Sequence, residues 1–261
     1  MAKGSLTWDL PFLDPPSSRA ATNTPHALIL LNQPFSFALL DRVWNACQWR
    51  CCADGGANRL HDPLKESKGK DLRSELSNVY LPDLIKGDLD SLRDDVREYY
   101  ASYNVPIVKD PDQDSTDLMK CLESLSDKEK AEGCQYDVVI LGGLAGRLDQ
   151  TIHTLSLLHK LRKSRERIFV VTDDNIAWVL DEGEHYIHIN HDMLGPTCGL
   201  LPVGVNSTIL STAGLRWNLT DCPSSFDGLV STSNHLVSGE NTVWIKTTKP
   251  IWWTVELKAF D

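Results

Sequence analysis

The residues best suited to chemistry lie in four short polar segments, each of which directly follows an apolar run. All four segments contain aspartate, three of them also contain glycine, and few basic residues lie nearby. The segments are Asp54-Gly55-Gly56-Ala57-Asn58, Lys86-Gly87-Asp88-Leu89-Asp90-Ser91, Asp112-Gln113-Asp114-Ser115-Thr116-Asp117 and Gly142-Gly143-Leu144-Ala145-Gly146-Arg147-Leu148-Asp149. If the apolar runs are strands of a parallel sheet, all four segments lie at its carboxyl edge, where α/β proteins bind ligands.

Repulsion among these carboxylates predicts a cation at that edge. Two full charges about 5 Å apart cost roughly 3 kcal/mol at an effective dielectric of 20. Carboxylate oxygens suit a hard divalent metal, and glycine-rich turns suit a phosphate group. The four segments therefore predict an enzyme that acts on a polyphosphate carried by a divalent metal.

The first segment has two interpretations, which the sequence leaves open. Asp54-Gly55-Gly56 could form a tight turn in which Asp54 caps the helix that contains Leu60. Alternatively, Gly55 and Gly56 let backbone N–H groups approach a phosphate while Asn58 contacts ligand atoms.

The aspartates of the second segment favour metal binding over helix capping. A cap needs one acceptor, which Asp90 or Ser91 can supply ahead of a helix predicted to begin near Leu92. Asp88 and Asp90 are two residues apart after one strand, and this pair is better explained as metal ligands.

The third segment places Asp117 in the first turn of the next predicted helix. Asp114 or Ser115 is the expected N-cap, which leaves Asp117 and Gln113 free to contact a ligand. Lys120, one turn later, either pairs with Asp117 or contacts a phosphate. A solvated acidic loop is the alternative for the whole segment.

The fourth segment differs from the common nucleotide motifs. A dinucleotide fingerprint would require glycine at 142, 144 and 147, but those positions hold Gly, Leu and Arg, and the chain has no P-loop motif. What remains is a flexible turn that presents Arg147 to phosphate oxygens and Asp149 to a metal or substrate.

Composition restricts the partners. The chain has 261 residues, of which 41% are hydrophobic, and a formal net charge of -10. This charge argues against nucleic acid and anionic membranes, because both select basic surfaces. Seven cysteines without regular spacing favour reduced thiols in the cytosol over a zinc site. We therefore expect a small-molecule ligand, no nucleic-acid partner and no membrane partner.

The predicted fold class is α/β + β, in three regions. Residues 1–25 contain four prolines and are expected to form a disordered arm. Residues 26–180 alternate strand-like and helix-like runs, which predicts a mostly parallel αβα sheet domain, with a variable polar excursion over 65–78. Residues 181–261 show short alternating runs between turn residues, which predicts an antiparallel β-sandwich domain.

The predicted elements follow from these patterns. In the first domain the strands are 27–31, 49–53, 81–85, 105–108, 137–141 and 168–171, and the helices include 37–46, 92–103, 115–125 and 150–161. In the second domain the strands are 185–189, 207–211, 228–231, 242–247 and 252–257.

Trp217 lies beside a break in one of these alternating runs. The break falls at Gly214, which indicates a bulge or bend that turns a side chain outward. By its spacing alone, a structural role for Trp217 is favoured over a ligand contact.

The four segments, in this order and followed by Ser211-Thr212-Ala213-Gly214-Leu215-Arg216-Trp217-Asn218-Leu219, resemble the thiamine pyrophosphokinase family. Leu229-Val230-Ser231-Thr232-Ser233-Asn234 and the run from Pro250 to Leu257 extend the resemblance, which covers roughly residues 27 to 257. It implies transfer of diphosphate from Mg-ATP to the hydroxyl of thiamine, giving thiamine diphosphate and AMP. It also implies a homodimer whose subunits each have an α/β and a β-sandwich domain.

The resemblance also implies residue roles. Asp88, Asp90 and Asp117 would bind Mg²⁺ and, with Asp149, form the acidic catalytic centre beside Gln113. Arg147 would hold phosphate. Ser211 and Trp217 would reach into the neighbouring subunit's α/β site to bind thiamine, since an indole face suits a cationic thiazolium and a flat pyrimidine.

The expected chemistry is in-line attack of the thiamine hydroxyl on the β-phosphorus of ATP, with Asp88 or Asp117 as the candidate proton acceptor. Two other functions remain open at this stage. One is a different metal-assisted phosphotransferase or phosphohydrolase, and the other is a module that binds thiamine or nucleotide without turnover.

Overall fold

The structure is a computed structural model that describes residues 4–15, 17, 24–66 and 80–260. The chain separates into two compact units, Pro15–Ala145 and the combination of Met1–Asp14 with Gly146–Asp261. We call the first the α/β unit and the second the β-rich unit. Each helix in the described part of the chain is too short or too polar to span a membrane.

Strands and helices alternate through the first half of the chain, and strands dominate the second half. In chain order the elements are β1 (Leu6–Trp8), a 3₁₀ turn (Pro11–Leu13), β2 (His26–Leu30), α1 (Phe37–Trp44), β3 (Trp49–Ala53), α2 (Gly56–Glu66), β4 (Leu84–Gly87), α3 (Asp94–Ser102), β5 (Ile107–Lys109), α4 (Asp117–Glu132), β6 (Asp137–Leu141), α5 (Leu148–Leu161), β7 (Ile168–Val171), β8 (Asn175–Leu180), β9 (Gly183–His188), β10 (Leu194–Leu201), β11 (Thr208–Ala213), β12 (Cys222–Ser224), β13 (Ser231–His235), β14 (Thr242–Thr247) and β15 (Ile251–Leu257).

The α/β unit is built on five parallel strands in the order β6, β2, β3, β4, β5. All five residues of β2 are buried, as are four of the five in β6, as expected for strands covered on both faces. Helices α2 and α4 pack against the central strands. Because β3 and β4 are parallel neighbours, with Ala53 beside Lys86, Asp54 and Asp88 follow them at the same edge.

Local residues determine where two helices of this unit begin or end. Helix α1 begins where the Ser36 hydroxyl accepts a hydrogen bond from the Leu39 N–H at 3.2 Å. Helix α4 ends at Gly133, whose φ of +67° suits a residue without a Cβ. The expected N-cap of α4 at Asp114 or Ser115 is wrong, since Thr116 holds that position without a side-chain cap bond.

The β-rich unit contains two sets of strands. One set is antiparallel in the order β13, β10, β15, β8, β7. The other runs β1, β9, β14, β11, β12 and is antiparallel except for β1, which pairs with β9 in parallel. Buried tryptophans fill its interior, namely Trp8, Trp178, Trp252 and Trp253. The predicted fold class is thus confirmed, with a parallel sheet and helices in one part and a strand-rich antiparallel part.

The amino-terminal residues differ from the expected disordered arm. Trp8, Phe12 and Leu13 are buried, and the Trp8 indole N–H donates to Nδ1 of His185 at 3.1 Å. These apolar residues therefore pack into the core, although the overall composition of the arm is typical of a disordered segment. Residues 1–3, 16 and 18–23 of the arm, and 67–78 of the polar excursion, lie outside the described residues.

The division of the chain also differs from the expected boundary near residue 180. Helix α5 and strand β7 belong to the β-rich unit, and β7 is antiparallel to β8. Strands β8 and β10 were absent from the prediction. The β10 sequence contains Gly195-Pro196, which resembles a turn, but the pairing of β10 with β15 shifts register there and accommodates the proline.

Candidate active site

Asp54 turns the chain sharply at the end of β3. Its φ is +44°, and the two glycines that follow lie too close to other residues to carry side chains. A Cβ on Gly56 would clash with the carbonyl of Leu30, and one on Gly55 would clash with the Asn32 side chain. Gly56 is therefore required by packing against the backbone at the end of β2, and Gly55 leaves room for the Asn32 side chain.

Three aspartates converge after β3, after β4 and at the start of α4. Asp54, Asp88 and Asp117 each place one carboxylate oxygen within 4.8 Å of the others. Oδ1 of Asp117 accepts from the backbone N–H of Asp88 at 3.2 Å, and Oδ2 of Asp54 accepts from the backbone N–H of Ser91 at 3.0 Å. The bond to Ser91 shows that Asp54 joins β3 to the loop after β4, and that its carboxylate does not serve as the cap of α2.

Burial makes the carboxylates of Asp54 and Asp117 harder to ionise. The pKa of Asp54 is raised by desolvation, with the charge of Asp117 adding to the effect against an opposing N–H bond from Ser91. The pKa of Asp117 is likewise raised by desolvation, and the charge of Asp88 contributes in the same direction. Three carboxylates at this separation therefore favour either a proton or a cation among them.

The cluster fits a divalent metal. Asp54 is 4% exposed, and its buried Oδ1 has no hydrogen-bond partner among the residues that the structure describes. Lys120 is buried and lies 3.5 Å from Oδ1 of Asp117, but its ammonium also donates to the carbonyl of Asp110 at 3.0 Å. One lysine offsets only part of three negative charges, and an orphaned buried carboxylate oxygen is a site that a hard cation would satisfy.

Gly87 keeps space open beside the carboxylates. A Cβ there would lie 2.8 Å from Cβ of Asp54 and 2.9 Å from Oδ1 of Asp117. A residue with a side chain at the end of β4 would therefore displace both carboxylates.

Three other predicted residues lie outside this cluster. Asp90 is exposed, and its carboxylate accepts from the Ser91 hydroxyl at 2.9 Å, so the structure does not group it with Asp88 and Asp117. Gln113 is exposed and donates to the carbonyl of Pro111 at 3.3 Å. The Asn58 amide donates to the carbonyl of Ser91 at 2.7 Å, which ties α2 to the loop after β4.

The loop after β6 is held by a residue that the sequence reasoning missed. Oε1 of Gln33 accepts from the backbone N–H groups of Gly143 at 2.7 Å and Ala145 at 3.2 Å, and its Nε2 donates to the carbonyl of Ala145 at 2.6 Å. Gly142 and Gly143 both have φ near +100°. Gln33 follows β2 closely, so the carboxyl-edge rule applied to β2 would have found it.

Arg147 and Asp149 form an exposed pair at the start of α5 in the β-rich unit. The guanidinium donates to both carboxylate oxygens, from Nε at 3.1 Å and from Nη2 at 2.6 Å. This bidentate contact lowers the pKa of Asp149. Both predicted ligand groups are therefore paired with each other in this structure.

Ser211 and Trp217 belong to the β-rich unit, where Ser211 lies within β11 and Trp217 follows this strand. The Ser211 hydroxyl accepts from the backbone N–H of Asp221 at 2.9 Å and donates to its carboxylate at 3.1 Å. Gly214 has a φ of +83°, and Trp217 is 52% exposed. The predicted bend at Gly214 and the outward side chain after it are confirmed.

Together these features define a class of protein. A parallel α/β sheet with converging carboxylates at its carboxyl edge is typical of enzymes that bind phosphate compounds with a divalent metal. Two family models match the chain, the thiamin pyrophosphokinase catalytic domain over residues 40–170 and the thiamin pyrophosphokinase vitamin B1 binding domain over residues 184–252.

Individual relatives agree with these models. The chain is 38% identical to thiamine pyrophosphokinase 3 of Oryza sativa subsp. japonica, covering 89% of this chain and 87% of the relative. It is 35% identical to thiamine pyrophosphokinase 1 of Arabidopsis thaliana, covering 93% and 90%. The crystal structure of yeast thiamin pyrophosphokinase superimposes with a TM-score of 0.81 at 27% identity, covering 99% of this chain and 92% of the other. The chain belongs to the thiamin pyrophosphokinase family.

Proposed function

We propose that this chain catalyses the Mg²⁺-dependent transfer of diphosphate from ATP to the hydroxyl of thiamine, which gives thiamine diphosphate and AMP. The observation that supports this most directly is the cluster of Asp54, Asp88 and Asp117, which lies in the part of the chain that matches the family's catalytic domain. The match to the vitamin B1 binding domain supports thiamine as the acceptor.

Asp54, Asp88 and Asp117 are the residues that would hold Mg²⁺. When bound, the ion neutralises the polyphosphate and stabilises the charge that develops as its bond breaks. The buried Oδ1 of Asp54 would gain the partner that it lacks among the described residues. In this proposal Asp54 takes the place that the sequence reasoning gave to Asp90.

The reaction forms one oxygen–phosphorus bond and breaks another. The thiamine hydroxyl oxygen attacks the β-phosphorus of ATP in line, and the bond from that phosphorus to the oxygen shared with the α-phosphorus breaks, so that AMP leaves with this oxygen. The hydroxyl proton passes to a carboxylate, for which Asp88 and Asp117 remain the candidates. The protein contributes mainly by positioning the reactants.

Arg147 would hold a phosphate oxygen and Asp149 would complete the acidic centre. The pair is exposed, with side chains 73% and 65% accessible, so the Arg147 guanidinium can exchange the carboxylate for a phosphate at little cost. In this proposal Lys120 holds Asp117 in place, because its ammonium contacts both the Asp117 carboxylate and the carbonyl of Asp110.

Trp217 would stack on thiamine from the neighbouring subunit of a homodimer, with Ser211 beside it. The support is its 52% exposure, which is unusual for so large an aromatic side chain. An indole face attracts the cationic thiazolium through both stacking and cation–π interaction.

We place the enzyme in the cytosol because its seven cysteines lack the regular spacing of a disulfide framework.

The test is to incubate the purified chain with ATP and thiamine, with Mg²⁺ or with EDTA, and to measure all products by chromatography. We expect AMP and thiamine diphosphate in equal amounts, only with Mg²⁺ and only with thiamine. Release of ADP or inorganic phosphate without thiamine would instead identify a different phosphotransferase or a phosphohydrolase. Binding of thiamine without any product would identify a binding module.

A further inference from the structure

The exposed Trp217 side chain stands on a backbone that a buried asparagine holds at two points. Asn234 in β13 is 4% exposed. Its Oδ1 accepts from the backbone N–H of Trp217 at 3.2 Å, and its Nδ2 donates to the backbone carbonyl of Trp217 at 2.8 Å. Oδ1 also accepts from the backbone N–H of His235 at 2.8 Å, which fixes the amide within its own strand.

Other hydrogen bonds hold the two ends of the loop that contains Trp217, so that only Asn234 bonds to the backbone of Trp217 itself among the residues that the structure describes. The Thr212 hydroxyl accepts from the N–H of Leu219 at 2.9 Å, and Oδ1 of Asn218 accepts from the N–H of Leu215 at 3.0 Å. The N–H of Arg216 donates to the carbonyl of His235 at 2.9 Å. None of these three bonds involves the N–H or the carbonyl of Trp217.

The contacts of the Trp217 ring with other side chains restrict its orientation only weakly. The guanidinium of Arg216 lies 4.8 Å from the centre of the Trp217 ring, and the His235 ring lies 5.3 Å away at an angle of 50°. Arg216 is exposed, so its side chain can move when a ligand arrives. The direction of the indole therefore depends chiefly on the backbone conformation that Asn234 maintains.

We propose that Asn234 is a positioning residue for thiamine binding, which acts by holding Trp217 in the conformation that receives the vitamin. The inference rests on the proposed function, in which Trp217 stacks on thiamine. A carboxamide is suited to this role because it supplies one donor and one acceptor to the same residue. Ordering the loop before binding saves the entropy that binding would otherwise cost.

The expected effect is on thiamine affinity. If removal of the clamp leaves about one tenth of the loops in the competent conformation, the apparent affinity falls about tenfold. We therefore expect Asn234→Ala to raise the KM for thiamine about tenfold, with the KM for ATP and kcat at saturating thiamine close to wild type. Hydrogen exchange at the Trp217 amide should also become faster.

A double-mutant cycle separates positioning from general destabilisation. Asn234→Ala is measured in the wild-type and in the Trp217→Ala background, and a residue that acts through Trp217 should add no further rise in KM to Trp217→Ala. A residue needed only for folding would raise KM by the same factor in both. Thr208→Val is the matched control, because Thr208 is also buried and hydrogen-bonded in this unit but contacts other residues.

The outcomes distinguish this inference from the proposed function. A raised KM for thiamine in Trp217→Ala, with a wild-type KM in Asn234→Ala, would overturn the inference and leave the function standing. An unchanged KM in Trp217→Ala would overturn the role of Trp217 and the inference with it. If Asn234→Ala does not fold, Asn234→Asp takes its place, because it keeps the shape and the acceptor and loses the donor to Trp217, and a wild-type KM would again overturn the inference.

Discussion

At the candidate active site, we expect the charge of the Asp54 carboxylate to reduce the stability of the metal-free protein. Asp54 is buried, one of its oxygens has no partner in the described part of the chain, and its pKa is raised by desolvation. A residue selected only for stability at this position would be neutral. A buried carboxylate at this position opposes folding but would favour a bound cation, and this is the strongest indication that Asp54 serves a function.

Replacing Asp54 should therefore stabilise the protein and inactivate it. We expect Asp54→Asn to raise the melting temperature in EDTA by roughly 2 to 6 °C, and to remove most of the further rise that Mg²⁺ gives to the wild type. Turnover should fall about 100-fold or more. Thermal denaturation with EDTA or Mg²⁺, together with the product assay, measures both effects.

The pH dependence of this difference has a defined sign. An unfolded aspartate titrates near a pKa of about 3.9, and the folded pKa of Asp54 is higher. Protonation therefore favours the fold, and the wild type loses stability as the pH rises from the unfolded pKa through the folded one. The advantage of Asp54→Asn in EDTA should be full at neutral pH and shrink toward pH 4. Asp127→Asn, which removes an exposed charge from α4, is the control, and an equal gain from it would contradict this account.

The sequence predicted part of the site at this scale. Asp88 and Asp117 could be predicted because each follows a strand at the carboxyl edge. The membership of Asp54 in the cluster could not be predicted, because a turn aspartate before two glycines is equally suited to capping a helix. The direction of a side chain is also invisible in sequence, which is why Asp90 was expected in the cluster but lies exposed beside Ser91.

Among the elements, β4 matters most because it ends in a glycine at the site. Gly87→Ala should push the carboxylates of Asp54 and Asp117 apart, and we expect kcat/KM to fall about 100-fold. The control is Gly133→Ala at the end of α4, where φ is +67° but a Cβ would meet no atom within 4 Å. It should cost about 1 kcal/mol of stability and leave kcat unchanged. Product assays and urea denaturation of both variants make the comparison, and equal activities would contradict the proposed crowding.

Elements with the predicted bounds occur in both units, but β8 and β10 of the β-rich unit were not predicted. Strand 49–53 and strand 137–141 have the predicted bounds, because continuous apolar runs between polar loops are typical of buried parallel strands. Strand β8 was missed because its buried run continues almost directly from β7, and β10 because glycine and proline interrupt it. Whether such segments form strands depends on pairing with residues distant in the sequence, and the local hydrophobic pattern does not contain that information.

At the scale of the whole molecule, the proposed homodimer predicts complementation between two defective chains. Trp217→Ala and Asp117→Asn are co-expressed with different tags, and the mixed dimer is isolated by two affinity steps. If Trp217 serves the partner's site, one of the two sites is intact, and the mixed dimer should show about half the wild-type activity at low thiamine. Activity no higher than the average of the two parental dimers would mean that each subunit binds thiamine alone.

The parallel pairing of β1 with β9 has a consequence for how the protein is made. Trp8 leaves the ribosome before His185, which it contacts and which lies 177 residues further along the chain. At roughly 5 to 20 residues per second, about 10 to 35 s pass between the synthesis of Trp8 and that of His185. During this time the apolar segment around Trp8 cannot form its native contacts with β9. A protein trimmed of residues 1–14 would lose β1 altogether, uncover the edge of β9 and become prone to aggregation.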